Sequence, residues 1–218
     1  MKCDAAVVTA PRSQGRVGEV RERMGEAMQD SRSVDTAAPY PRELVRTVTL
    51  KDGFSTRIRP IRPDDEPRLV NLYERLSRHT AYQRFFTVLR RLPPDWYHFF
   101  ANVDYVRRLA LVAERETVAG VQLIGVGRYE PSEEPDTAEV AFVVEDGWQG
   151  RGLGGILLDA VLGAAEARGI RRFRADVQAD NHRMLRLLAT RTEVDERKTE
   201  EAVTGLRFRR RAADATPR

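Results

Sequence analysis

The stretch 138–169, "AEVAFVVEDGWQGRGLGGILLDAVLGAAEARG", decides how this chain folds. It opens as an apolar run suited to a strand. It then passes four glycines, Gly150, Gly152, Gly154 and Gly155, and continues as a helix rich in alanine and leucine. Ile156, Leu157, Ala160, Val161 and Ala164 recur at helical spacing and predict its buried stripe, with Gly169 as its stop. "IRRFRADVQ" follows as a second strand. The unit is therefore strand, helix, strand, and its crossover should be right-handed and parallel.

Upstream, "RTVTL", "KDGF" and "STRIRPI" read as strand, Asp-Gly turn, strand. "RPDDEPRLVNLYERLSRHTAYQRFF" reads as helical, with Asp64 or Asp65 as cap and Pro67 in the first turn. Leu69, Leu72, Tyr73 and Leu76 share one face of it. "LPPDWYHFFANV" offers another helix start near Asp95. "RLALVAERE", "VQLIGVGRYE" and "TAEVAFVVE" predict an antiparallel meander. Downstream, "NHRMLRLLATR" is a short helix opened by Asn181, and "TEVDERKTE" with "AVTGLRFRR" forms a final hairpin. The class is α+β: a mixed, mostly antiparallel sheet with one parallel βαβ unit, flanked by helices. One domain is expected over 41–211, with a disordered extension at 1–40 and a disordered tail at 212–218.

The 218 residues are 41% hydrophobic, enough for a core. No run is long and apolar enough for a membrane span. The single cysteine, Cys3, cannot form an internal disulfide, which fits a cytoplasmic setting. The net charge of +4 is nearly all arginine, since Lys2, Lys51 and Lys198 are the only lysines. No basic stripe with interleaved aromatics is present, so nucleic acid is not an expected partner. His79, His98 and His182 lack metal-ligand spacing, and no metal site is expected.

Glycines between a strand and a helix N-terminus let an anion approach free backbone N–H groups without Cβ clashes. A pyrophosphate is the simplest such ligand, and Arg151 adds a charged fork. The P-loop is excluded, because no Gly-Lys-Ser/Thr opens the helix. Gly150, Gly152 and Gly155 match the dinucleotide pattern by letter, with Asp176 about twenty residues on. That motif opens a run of βα units, which this chain does not have.

The loop resembles the acetyl-CoA motif of the GNAT acetyltransferase superfamily, Arg/Gln-x-x-Gly-x-Gly/Ala, with Gln149, Gly152 and Gly154 in register. The element order resembles that fold from about Leu44 to Arg211. Within the superfamily, "IRPIRPDDEPRLVNLYERLS", "YQRFF" and "AEVAFVVEDGWQGRGLG" are similar to bacterial protein lysine acetyltransferases of the Pat type. Those enzymes are often fused to a regulatory domain, for which this length leaves no room.

The resemblance implies acetyl-CoA as donor, held by Gln149, Gly150, Arg151, Gly152, Leu153 and Gly154. It implies that Asn181 lies near the CoA arm, beside its own role as a helix cap. It implies that the strand before the loop splays from its parallel neighbour, with the N–H of Val143 or Val144 as oxyanion donor. Its acceptor is an amine, most simply a lysine on a protein substrate, with an acyl-CoA synthetase among the candidate targets. A lysine amine has a pKa of about 10.4 and needs a base. Glu139 is the candidate: a carboxylate inside an apolar strand, on the face of Ala141 and Val143, where burial favours a base role. Pat-type enzymes carry their base at the matching position. Many GNAT enzymes use a tyrosine as acid on the following helix. Here Leu188 stands near that place, so the acid is unassigned. Two rivals stay open: a small-molecule amine acetyltransferase, and a non-catalytic acyl-CoA sensor.

Overall fold

The structure, a computed structural model, describes residues 38–86 and 91–211. The expectations for 1–37 and for 212–218 lie outside the described residues. The described chain is tied to the domain from its start. The Ala38 N–H donates to Asp104 O at 3.0 Å, and the Tyr40 hydroxyl donates to Pro60 O at 3.1 Å.

The strands are β1 (Arg46–Thr49), β2 (Ser55–Pro60), β3 (Leu109–Thr117), β4 (Gly120–Pro131), β5 (Thr137–Val144), β6 (Arg172–Gln178), β7 (Thr192–Glu200) and β8 (Val203–Arg210). They form one eight-stranded sheet in the order β1-β2-β3-β4-β5-β6-β8-β7. Every pairing is antiparallel except β5 with β6. The expected meander, parallel unit and final hairpin are all present, with β8 lying between β6 and β7.

The helices are α1 (Glu66–Arg75), α2 (Arg78–Phe85), α3 (Pro94–Ala101), α4 (Leu153–Glu166) and α5 (His182–Arg191). α4 packs on β3, β4 and β5. Gly127 on β4 makes that approach possible. A Cβ there would lie 2.8 Å from the Phe142 ring and 3.1 Å from Val161 Cγ2. The buried side of α4 includes Leu157, Leu158, Val161, Leu162, Ala164 and Ala165, while Ile156 and Ala160 are only partly buried. Leu157, Val161 and Ala164 of the predicted stripe are buried, and the face is shifted toward Leu158, Leu162 and Ala165, because the helix is apolar nearly all round and tertiary packing chooses its face. Each fully buried leucine there contributes about 1.5–3 kcal/mol.

The region read as one helical segment is two helices. Leu76 leaves the helix with extended backbone, and Ser77 restarts it by accepting the Thr80 N–H at 3.1 Å. Asp65 precedes α1, but its carboxylate makes no cap bond to that helix. It is fully buried and accepts from both ends of the Arg59 guanidinium at 2.6 and 2.7 Å, and from the Arg62 N–H. Arg59 also meets Glu114 at 2.6 Å. An ion pair overrides the cap, because a buried guanidinium without a carboxylate would be far costlier than one uncapped helix turn.

Candidate active site

β5 and β6 share three rungs, Thr137↔Arg172, Ala138↔Phe173 and Glu139↔Arg174. Beyond them β5 stays with β4 as far as Val144↔Gly125, and β6 stays with β8 as far as Gln178↔Val203. The two half-sheets therefore part after Glu139. A cavity of about 1570 Å³ opens along the gap and is lined by Val140–Val144, Gln149, Gly150, Gly152, Gly154 and Asn181. At its other end it meets Glu139, Arg174, Arg108, Arg128 and Phe99.

The gap exposes backbone of β5. The Glu145 N–H donates to Ile124 O of β4 at 3.0 Å. Strand alternation then turns the Val143 N–H toward β4 and leaves the Val144 N–H facing the gap. Of the two amides considered as donors, Val144 is the one with the open direction.

The glycine loop is held from three sides. Gln149 Nε2 donates to Val144 O at 3.0 Å and to Thr80 Oγ1 at 3.2 Å, while its Oε1 accepts from Arg183 at 3.0 Å. Gly152 stands at φ +93° as the N-cap of α4, a backbone that glycine adopts without strain. The first N–H groups of α4 have no intrahelical acceptors and face the loop. Arg151 does not line the cavity. Its fork pairs with Asp52 at 2.8 Å, and its guanidinium lies 4.7 Å from the Trp148 ring centre. Leu153 is buried in the sheet interface, so only its backbone reaches the loop. Two cations that the sequence reading did not select, Lys51 and Arg183, line the loop end of the cavity. Both are far from the motif in sequence, and only the fold brings them there.

Glu145 and Asp146 fix the neighbouring helices. Arg75 grips Glu145 through two bonds of 3.0 and 3.1 Å. Asp146 accepts from the Ser77 N–H, the Ser77 hydroxyl and the Thr80 hydroxyl at 2.6–2.9 Å. Burial would raise the Asp146 carboxyl, but these bonds outweigh it and hold the group below its ordinary range.

Glu139 lies on the last shared rung, 3.1 Å from Arg174 Nη2, and its side chain keeps 36% of its exposure. The expectation of a carboxylate buried among apolar groups is therefore corrected. Glu139 borders an open cavity and has an arginine partner, because β6 diverges and leaves its flank uncovered. Directly opposite on β4 stands Glu130. Arg108 reaches Glu130 at 2.6 Å, and Arg128 also pairs with it. Burial raises the Glu130 carboxyl, yet Arg128 and Arg108 together hold it below the ordinary range. Arg108 and Arg128 in turn lie over Phe99 and Phe100 of α3, at 3.7 and 4.5 Å from the ring centres.

Asn181 caps α5, its Oδ1 accepting the Met184 N–H at 3.1 Å. Leu188 is a core residue, 1% exposed, with no role in proton transfer. His182 and His79 are exposed, and His98 sits 3.3 Å from Glu66 on the surface. Phe85, Trp96, Tyr97, Phe99 and Phe100 are buried, and all but Tyr97 also border the cavity. Among the described residues, no group of three or more His, Cys, Asp or Glu side chains could hold a metal ion. No helix among them is long and apolar enough to cross a membrane.

Residues 64–191 match the acetyltransferase (GNAT) family. The GNAT domain of PAT from S. lividans superposes with a TM-score of 0.70 at 38% identity, covering 78% of this chain and 99% of that one. Acetyltransferase Pat of Mycolicibacterium smegmatis is 31% identical over 141 residues, 65% of this chain. The chain spans 42% of that relative's length. An acetyltransferase of Pseudomonas aeruginosa is 29% identical over 136 residues, 62% of this chain and 73% of that protein. The cavity beside the glycine loop, the parted strands and the matched sequence agree, and the chain belongs to the GNAT family of acetyltransferases, as an N-acetyltransferase of Pat type whose donor is acetyl-CoA.

Proposed function

We propose that this protein acetylates lysine side chains of other proteins by direct transfer, with Glu139 as general base. The observation that carries this reading is the position of Glu139. It is the last β5 residue paired to β6, and it stands where the gap begins.

The residues suit the donor. Gly152 leaves the loop free of a side chain, and the N–H groups from Gly150 to Gly154 are placed to meet a diphosphate. The gap beside Val140–Val144 is a trough for an extended arm. Acetyl-CoA supplies an acyl thioester open to attack by a neutral amine. Glu139 takes the ammonium proton of the acceptor lysine onto a carboxylate oxygen. The Val144 N–H offers a preorganised donor where negative charge develops on oxygen. Arg174 orients the Glu139 carboxylate. α5 carries no tyrosine, and Tyr105 in the cavity already donates its hydroxyl to Ile61 O at 2.8 Å. The tetrahedral intermediate collapses as its C–S bond breaks, and the departing CoA thiolate takes its proton from solvent.

A protein acceptor is favoured over a polycationic small molecule. Glu139 keeps over a third of its exposure, so the acceptor end is open to a large partner. Its carboxylates do not form an acidic pocket: Glu130 is matched by Arg108 and Arg128, and Glu139 by Arg174. An acyl-CoA synthetase is a candidate target within this reading. The test is acetyl-CoA turnover with folded proteins and small amines side by side, read by thiol release and mass spectrometry. Modified lysines support the reading, and turnover confined to small amines refutes it.

A further inference from the structure

The β1–β2 turn lies before the residues that match the family, yet it is fastened to the glycine loop. The Lys51 N–H donates to Arg151 O at 3.0 Å, and Asp52 pairs with the Arg151 guanidinium at 2.8 Å. Phe54 packs on Trp148 with ring centres 4.7 Å apart. Two segments about a hundred residues apart in sequence are thus held together by a backbone bond, an ion pair and a ring contact.

There the Lys51 side chain runs over Gly152. Its Cγ, Cε and Cδ lie 3.3, 3.5 and 3.6 Å from where a Cβ on Gly152 would be. Lys51 lines the cavity, and among the described residues no carboxylate pairs with it. Lys198, by contrast, pairs with Glu200 at 2.7 Å. A lone ammonium at the N-terminal end of a helix faces the positive end of the helix dipole. That arrangement is unfavourable by itself, and an anion between the two removes the conflict.

We infer that Lys51 is a ligand for the diphosphate of acetyl-CoA, delivered by the β1–β2 turn, and that Arg151 is the tether that holds the turn in place. The inference rests on the reading of the glycine loop as the donor site. It exchanges the roles that the linear motif implies: the arginine inside the loop is structural, and the cation that meets the ligand comes from outside it. Arg151 is engaged with Asp52 and Trp148 and does not line the cavity, whereas Lys51 does.

The test is isothermal titration calorimetry of CoA and of 3′-dephospho-CoA, without acyl acceptor. Lys51→Met keeps the methylene contact with Gly152 and removes the charge. It should weaken CoA roughly tenfold, the scale of one charge-assisted hydrogen bond at a partly exposed site. It should weaken 3′-dephospho-CoA by the same factor, since the diphosphate is common to both. Asp52→Ala should weaken CoA by about two- to threefold on its own and add nothing in the Lys51→Met background, as coupled residues do. Unchanged CoA affinity in Lys51→Met, with the wild type binding normally, overturns the role of Lys51 and leaves the donor site standing. A loss for CoA but not for 3′-dephospho-CoA moves the contact to the 3′-phosphate and also overturns it. A wild type that binds no CoA overturns the donor-site reading itself. Thermal melting of each variant separates these outcomes from misfolding.

Discussion

Arg174 and Glu139 face each other on the last rung that β5 and β6 share, with Arg174 Nη2 3.1 Å from Glu139 Oε2. Among the described residues, the Arg174 Nε has no hydrogen-bond partner. Arg174→Met should lower kcat by about ten- to a hundredfold while donor affinity stays near wild type, because only the base is misplaced. Arg174→Lys should recover much of the loss. Equal falls in both variants, or none, would count against an orienting role. Steady-state kinetics with CoA calorimetry decide it.

Gly152 offers a test of the loop. A side chain there must adopt φ +93°, and its Cβ would press on Lys51 at 3.3 Å. Gly152→Val should abolish measurable CoA binding. The strained backbone should also lower stability by about 1–2 kcal/mol. Calorimetry and chemical denaturation read the two effects separately. Retained CoA affinity would mean that the loop is not the cradle.

Acid should act through Asp65. Burial raises its carboxyl, but the hydrogen bonds and charge of Arg59 outweigh burial and hold it below the ordinary range. A depressed carboxyl contributes stability that is present above the unfolded value of about 4 and is lost as pH falls through the folded value. Asp65→Asn should therefore be less stable than wild type at neutral pH. The difference should narrow as pH drops below about 4. Asp65→Ala, which leaves Arg59 with Glu114 as its one remaining carboxylate, should be less stable than Asp65→Asn at neutral pH. Urea titrations between neutral and acid pH measure both.

The helix–sheet contact behind the loop is tight enough to be tested by one residue. Gly127→Val would drive a side chain into Phe142 and Val161. It should destabilise by about 1–3 kcal/mol, the usual cost of overpacking. Because α4 carries the loop on its N-terminus, CoA affinity should fall with it.

The strand–glycine–helix unit was legible because it is local. The glycines, the apolar period of α4 and the stop at Gly169 lie within one continuous run. So were the meander and the final hairpin, whose turns are short. Whatever depended on distant charges was not. Asp65 read as a cap, and it is the partner of Arg59. Arg151 read as a phosphate fork, and it holds Asp52. Glu139 read as buried, and the parting of β5 from β6 leaves its flank open. Lys51 carried no local signal at all, since its place beside Gly152 exists only after the first hairpin docks. Ion pairs select partners by three-dimensional proximity, which periodicity along the chain does not encode.

In the proposed reaction Glu139 accepts the proton of a protein lysine. The direct measurement compares wild type with Glu139→Gln on folded protein acceptors at neutral pH, by lysine mass spectrometry and thiol release, with CoA affinity measured in parallel. Wild type should give acetylated lysines, and Glu139→Gln should turn over about 10²–10⁴-fold more slowly with unchanged CoA binding. Unchanged turnover in Glu139→Gln, or no acetylated lysine with wild type while small amines are consumed, would contradict the proposed reaction.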